Sequence, residues 1–472
     1  MLVRASDLVT LSGCEQGRLV RSRQISSRQL VEAHLARIAD VNPALNAAVE
    51  VFRSRALKDA DAADQRISQD QARSVFDGVP FSVKDSIEIE GSVCTAGTLG
   101  FANRPAATKD ATLVARLRAA GAIPVVRTNL PDLLFAFEAD NFLFGRTNNP
   151  YNLERTSGGS SGGEAALIAA CGSPFGLGSD AAGSVRLPAH FCGISSLKPT
   201  SGRLARTGHV PPPGGWLEMV WQIGPMARRV EDLCAMMPIL LGGDGEDLTV
   251  IEMPYADPAQ TLLGNLRVAF FTDNGVKTPD KATIATVRRA AESLQGHVRS
   301  VEESTPAGIE ESYELEMKMI GPDGGDSLRS YLKSIGSNRH HDLLEGWLRK
   351  LEQHRTDLAG FAGYWADLQA FRSRMRRFLD NFDVILSPVA AFPALPHGHS
   401  IADDVFPGFS YTMTHNMTGW PAAVVRCGTS ADGLPIGVQI AAAPWREDLV
   451  LAVAQKLEEL CGGWQAPGAW SL

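Results

Sequence analysis

The chain has 472 residues, 44% of them hydrophobic and 21% charged, the balance of a folded globular protein and not of a disordered one. Its 45 Lys+Arg against 53 Asp+Glu leave a formal charge of −8 without any basic block, which argues against nucleic-acid binding as its main role. The longest apolar run, Leu233 to Leu241, is broken by Pro238 and is too short for a membrane span, and seven scattered cysteines without a C-x-x-C pair exclude a zinc ribbon and argue against a disulfide framework.

Met1 to Gly13 lacks a charged start followed by an apolar stretch, so no signal peptide is expected and the expected place is the cytoplasm. The first predicted helix spans about Arg28 to Asp40. Ser26 and Gln29 read as a capping box, Leu30, His34, Leu35 and Ile38 share one stripe, and Asn42-Pro43 stops it. Val79 to Val83 reads as a short buried strand. A second helix is expected after Asp110 as N-cap, with Leu113 and Leu117 on one face and Gly121 at its end, followed by a strand over Ile123 to Arg127. Strand, helix and strand with short connections spell α/β organisation.

Nine glycines then fall between Ser157 and Gly193, with serine almost as dense. This stretch is no flexible linker, because it also carries Ala165 to Ala170 and Phe175 to Leu177. Glycine used this way brings backbone against backbone, or backbone against a ligand. A helix over about Gly162 to Cys171, a strand near Pro174 to Gly178 and a tight turn to Ser184 are predicted. Glu303 to about Asp380 is helix-rich, with Leu343, Leu344, Trp347, Leu348 and Leu351 at amphipathic spacing. A strand over Val384 to Pro388 and a closing helix over Asp448 to Leu460 complete the reading. No repeat or linker divides the chain, so one domain, 1–472, with a helical insertion at about 304–380 is expected.

The glycine-rich segment offers Ser160 and Ser161 in Gly158-Gly-Ser-Ser-Gly-Gly163, and Ser184 in Gly178-Ser-Asp-Ala-Ala-Gly-Ser184. The small residues Ala181, Ala182 and Gly183 let successive N–H groups point at one anionic oxygen; the plain alternative is a turn without chemistry. Gly-x-Ser-x-Gly matches around both Ser160 and Ser161, but Tyr151 to Thr156 is polar and turn-like where a nucleophile elbow needs a strand. No Gly-Lys-[Ser/Thr] follows for a P-loop. His340-His341 sits in a charged helical stretch, so neither a histidine base nor a metal site is expected. Lys84 ends the apolar run from Val79. A lysine desolvated there has a lowered pKa and can act as a base near neutrality; the alternative is a snorkelling or salt-bridged side chain.

Taken together, Gly78-Val-Pro-Phe-Ser-Val-Lys-Asp85, Gly158-Gly-Ser-Ser-Gly-Gly-Glu-Ala-Ala166 and Gly178-Ser-Asp-Ala-Ala-Gly-Ser-Val-Arg-Leu-Pro-Ala189 resemble the amidase signature family. Asn42 to Asn46, Phe144 to Pro150, Phe191 to Thr200, Asn416 to Pro421 and Gly433 to Gln439 extend the resemblance over about residues 5 to 462. The resemblance implies an α/β fold, with α/β/α layers around a large mixed sheet of about eleven strands, and no cofactor. It also implies a Ser-cisSer-Lys triad, with Ser184 as nucleophile, Ser160 after a cis peptide as bridging serine, and Lys84 as base. The amides of Ala181, Ala182, Gly183 and Ser184 match its oxyanion hole. Asp180 and Arg186 match positions that support the loop, a surface ion pair being the alternative. Two departures keep the backbone donors and the small size: Ala181-Ala182 replace the usual β-branched residue and glycines, and Ser179 stands where threonine is frequent.

Leu133 to Phe137 matches the acyl-site lining of fatty-acid-amide-type members, with Leu134 at the binding position; plain core packing is the alternative. The implied substrates are small aryl or aliphatic amides, with carbamates (urethanes) and esters also compatible. The 304–380 stretch and the proline-rich loop Gly208 to Gly215 are expected to shape the entrance. Two further readings stay open. One is the A subunit of a tRNA-dependent amidotransferase, a glutaminase with partner subunits, against which the apolar stretch counts. The other is a silent scaffold, against which the three retained triad positions count. The expected partners are a small amide or carbamate and water, with no nucleic acid and no membrane span; a homodimer is admitted.

Overall fold

The structure, a computed structural model, describes residues 5–212, 214, 218 and 220–468. Met1 to Arg4, which open the stretch read for a leader, and Pro213 and Gly215 of the proline-rich loop lie outside the described residues.

Eleven strands form one sheet, in the order Ala48–Val51, Ile123–Thr128, Pro80–Lys84, Phe175–Asp180, Gln222–Ala227, Ser195–Lys198, Ala422–Thr429, Pro435–Ala442, Val384–Pro388, Arg267–Phe270 and Ser300–Glu303. The sheet is mixed. Pro80–Lys84 runs parallel to both its neighbours, as does Arg267–Phe270, while the strands from Phe175–Asp180 across to Val384–Pro388 pair antiparallel. Helices cover both faces, so the inner strands are buried throughout, as parallel pairs require. One apolar cluster joins Phe81, Val83, Phe175 and Leu177 to Leu113, Leu117 and Leu233 of the covering helices. A second joins Val125 and Val126 to Leu35, Ala165, Ile168 and Leu187. The α/β/α architecture implied by the resemblance is therefore the one observed.

Alternation along Pro80–Lys84 decides where the chemistry goes. Phe81 and Val83 enter the first cluster, which leaves Ser82 and Lys84 pointing to the opposite face. There they meet the helix Gly162–Ala169, whose Glu164 is hydrogen-bonded by Ser82. The glycines of that helix entry are needed for contact between backbones. A Cβ on Gly159 would lie 2.5 Å from Ala136 O and Glu138 N, and one on Gly163 would lie 2.5 Å from Asn129 N and O.

Several boundaries differ from the sequence reading. The first long helix runs Ser27–Leu45, through Pro43. Pro43 lacks the N–H that would bond to the carbonyl four residues back, yet it does not end the helix. The true stop is Asn46, in the left-handed region at φ 50°, while Asn42 Oδ1 accepts from the Ala47 and Ala48 amides. Asp110 does not cap the helix Thr112–Ala119; it is occupied by the Glu90 amide and the Arg118 guanidinium, and Ala111 is the N-cap. Asn152–Thr156, read as a turn, is a strand, but it pairs only with Asn148–Asn149 in a two-stranded ribbon outside the main sheet. The 304–380 segment contains the helices Glu311–Ile320, Asp326–Ser334, Asp342–Glu352 and Leu358–Phe378. No helix among the described residues is long and apolar enough to cross a membrane.

Candidate active site

Lys84 is the last residue of its strand and is fully buried. Its Nζ lies 2.7 Å from Ser160 Oγ, 3.1 Å from Ser179 Oγ and 3.5 Å from Ser179 O. Burial pushes its pKa down to about 7, against the opposing pull of the Asp180 and Glu164 charges. Glu164 is itself pushed up to about 7 by burial, although Ser82, Thr128 and the Lys84 charge favour its carboxylate. The Thr128 hydroxyl donates to Glu164 Oε2 at 2.6 Å.

Ser160 follows a cis Gly159–Ser160 peptide just before the helix Gly162–Ala169. Its neighbour Ser161 does different work. The Ser161 amide donates to Ser184 O at 3.1 Å and its hydroxyl to Ser179 O at 3.2 Å, which ties the two Gly/Ser-rich turns together. Ser184 sits between the strand Phe175–Asp180 and the helix Arg186–Cys192, and lines the same cleft as Ser160.

The loop before Ser184 is held by a buried ion pair. Arg186 Nη2 and Nε contact Asp180 Oδ1 and Oδ2 at 2.9 and 3.0 Å, with both side chains inaccessible to solvent. Arg186 also donates to Gln439 Oε1 and Thr412 O, each at 2.8 Å, and to Asn416 Oδ1. Burial alone would raise the Asp180 carboxyl, but the Arg186 charge and hydrogen bonds from Arg186 and Asn416 hold it well below the usual carboxylate range. Asp180 Oδ1 also accepts the Gly183 amide at 2.9 Å and Oδ2 the Val185 amide at 3.1 Å. The pair is buried, not superficial, and it shapes the backbone that carries Ser184.

The cleft in front of these residues holds about 800 Å³ counting its open mouth. All of Leu133 to Phe137 line it, Leu134 included, together with Ala181, Ala182, Trp221, Ile320 and Trp347. The apolar stretch serves packing as well: Leu133 is buried, and the Phe137 ring lies 5.5 Å from Trp347 and 4.3 Å from Phe409. Ile320 and Trp347 come from the helical segment 304–380, and Pro211 and Pro212 from the proline-rich loop.

The structure thus gathers Lys84, Ser160, Ser184, Ala181, Ala182, Leu134 and Asp180 around one cleft. Gly183 and Arg186 stand behind it, bonded to Asp180. Sequence reasoning gave no role to His209, whose Nε2 is 3.0 Å from Ser179 Oγ, or to Trp221, whose ring is tilted 41° against it at 4.3 Å between centroids. No spacing rule links position 209 to 179. It also left Asn416 and Gln439 without a role, although both stand in quoted motifs.

The amidase family profile matches residues 29–451. The chain belongs to the amidase signature family. It is an amidohydrolase. Over 98% of its length it is 31% identical to fatty-acid amide hydrolase 2 of Homo sapiens, covering 91% of that protein. It is 33% identical to the A subunit of the glutamyl-tRNA(Gln) amidotransferase of Anaeromyxobacter dehalogenans (strain 2CP-C), over 99% of both chains. Among solved structures it resembles 6-aminohexanoate cyclic dimer hydrolase in complex with substrate, with a TM-score of 0.84 and 30% identity, over 96% of this chain and 98% of that one.

Proposed function

We propose that this amidase hydrolyses small apolar amides, aryl or aliphatic, through an acyl-enzyme on Ser184, with Ser160 as bridging serine and Lys84 as base. The observation that carries the reading is the 2.7 Å contact of the buried Lys84 amine with Ser160, at a cleft that also holds Ser184. A neutral Lys84 takes the Ser160 proton, and Ser160 takes that of Ser184 as its oxygen attacks the substrate carbonyl. The protons return to the leaving nitrogen, and water repeats the sequence on the acyl-enzyme. Because Gly183 N–H is already given to Asp180, we assign the oxyanion mainly to the amides of Ala182 and Ser184, with Ala181 alongside. The whole chain acts as one amidase domain, in which the 304–380 helices supply Ile320 and Trp347 to the substrate wall.

The apolar and aromatic lining favours an acyl or aryl group over a polar side chain, and any carbonyl bearing nitrogen, carbamates included, fits the same chemistry. A panel of anilides, aliphatic amides, carbamates, esters and glutamine on the purified protein tests this. Apolar anilides or alkyl amides should give the highest kcat/KM. The likeness to the A subunit of an amidotransferase supports a second reading, glutaminase action with partner subunits. Ammonia release from glutamine well above anilide hydrolysis would establish it and displace the first.

A further inference from the structure

We propose that His209 is a positioning residue which, acting through the Ser179 hydroxyl, aims the lone pair of the Lys84 amine at Ser160. The inference rests on the reading of Lys84 as the base. His209 lines the cleft beside Ser179 without a hydrogen bond to Lys84, Ser160 or Ser184; its two ring nitrogens face Ser179 Oγ and Pro211 O, each at 3.0 Å.

Those two contacts decide the direction of every proton in the chain. Pro211 O is a carbonyl and can only accept, so Nδ1 carries the hydrogen. A buried neutral imidazole has one hydrogen, so Nε2 is an acceptor and must receive the Ser179 hydroxyl proton. The surroundings keep the ring neutral. Burial pushes its pKa down to about 3, and the Lys84 and Arg206 charges that face it act in the same direction, outweighing the Pro211 contact. The Trp221 ring, 4.3 Å away, and the bond from the His209 amide to Arg206 O at 3.0 Å hold the side chain in place.

With its hydrogen given to His209, Ser179 Oγ offers only lone pairs to Lys84 Nζ, 3.1 Å away. A neutral amine has two hydrogens and one lone pair. The hydrogens find Ser179 Oγ and, at 3.5 Å, Ser179 O. The lone pair is left for the third neighbour, Ser160 Oγ at 2.7 Å, which is where a base must point. Without an acceptor at position 209, the Ser179 hydroxyl is free to turn and donate to that lone pair. The base would then be blocked while its neutral form is favoured.

The test is a double-mutant cycle with His209→Phe, which keeps a ring against Trp221, and Ser179→Ala, each followed by kcat, KM and the pH profile on one anilide. His209→Phe should lower kcat about tenfold or more with little change in KM, and should move the acid limb of kcat/KM to lower pH. The charges that act on this limb are Asp180 and Glu164, which face Lys84 and are unchanged in these variants. The double variant should be no slower than Ser179→Ala, because both changes act through one hydroxyl. His209→Gln, with an amide oxygen able to accept at the same place, should recover part of the rate. Should the phenylalanine variant not fold, His209→Ala enters the same cycle. Losses that multiply in the double variant, or a loss confined to KM with an unmoved limb, would overturn the proposal. A limb that survives Lys84→Ala overturns the base assignment and this proposal together, whereas a limb lost there with kcat unmoved in His209→Phe overturns this proposal alone.

Discussion

Removing the Lys84 amine is the sharpest perturbation of the proposed mechanism. A lysine at its ordinary 10.5 would be neutral in only about 3 molecules in 10,000 at pH 7, whereas at about 7 roughly half are neutral, a gain of about 10³ in competent base. The expected kcat/KM on a non-ionising anilide therefore rises with pH, with a midpoint near 7, and levels above it. Lys84→Ala should lose at least about 10³ of the rate together with the limb, and Lys84→Arg should fail as well, because a guanidinium keeps its proton throughout this range. Glu164, also displaced towards 7, is the group most easily confused with Lys84. In Glu164→Gln, Lys84 loses a charge that raises its pKa, so its limb should move to lower pH; a limb belonging to Glu164 would instead vanish. Stability supplies an independent readout. The folded-state pKa lies below the unfolded one, so the folded chain binds fewer protons between about 7 and 10.5. The cost of burying this lysine is thus full below about 7 and disappears as pH rises through that window. Lys84→Met should accordingly gain more Tm relative to the parent at pH 6 than at pH 10. A folded Lys84→Ala enzyme that keeps a limb near neutrality would refute the reasoning, and buried His209, at about 3, could not supply one.

Ser184→Ala should fold with an unchanged Tm and lose more than about 10³ in kcat, and labelling by a serine-directed fluorophosphonate, read by intact mass, should disappear with it. Asp180→Asn should cost about 3–5 kcal/mol in denaturant unfolding at pH 7, because it leaves the buried Arg186 charge unpaired. The carboxyl is depressed in the fold, so its contribution is full above its ordinary 3.8 and is lost as pH falls through the lower folded value; the deficit should persist at pH 5. Leu134→Ala should raise KM for an apolar anilide about tenfold while changing kcat less, since it removes apolar contact worth about 1.5 kcal/mol or more; an unchanged KM would remove Leu134 from the substrate wall.

The sequence by itself determined the parts of this protein that are local. The short apolar run Val79 to Val83 placed a buried strand ahead of Lys84, and the mixture of small and apolar residues after Ser157 announced backbones in contact, which Gly159 and Gly163 bear out. The resemblance carried the layered fold and the sheet of eleven strands. Local pattern was weakest at element ends. Asp110 looks like a cap, but the Glu90 amide and Arg118 compete for its oxygens, and Pro43 looks like a stop, although the last helical turn tolerates it.

What only the tertiary structure decided is which distant side chains share a proton or a charge. Arg186 spans Asp180, Thr412, Asn416 and Gln439, and Ser179 stands between Lys84 and His209, across gaps in sequence that no periodicity encodes. The reason is physical. Helix and strand patterns report which face of one element is buried, whereas a lysine's pKa depends on how fully the packed layers exclude water from it and which charges they bring near, and a serine's hydrogen direction on the partners within about 3 Å of it.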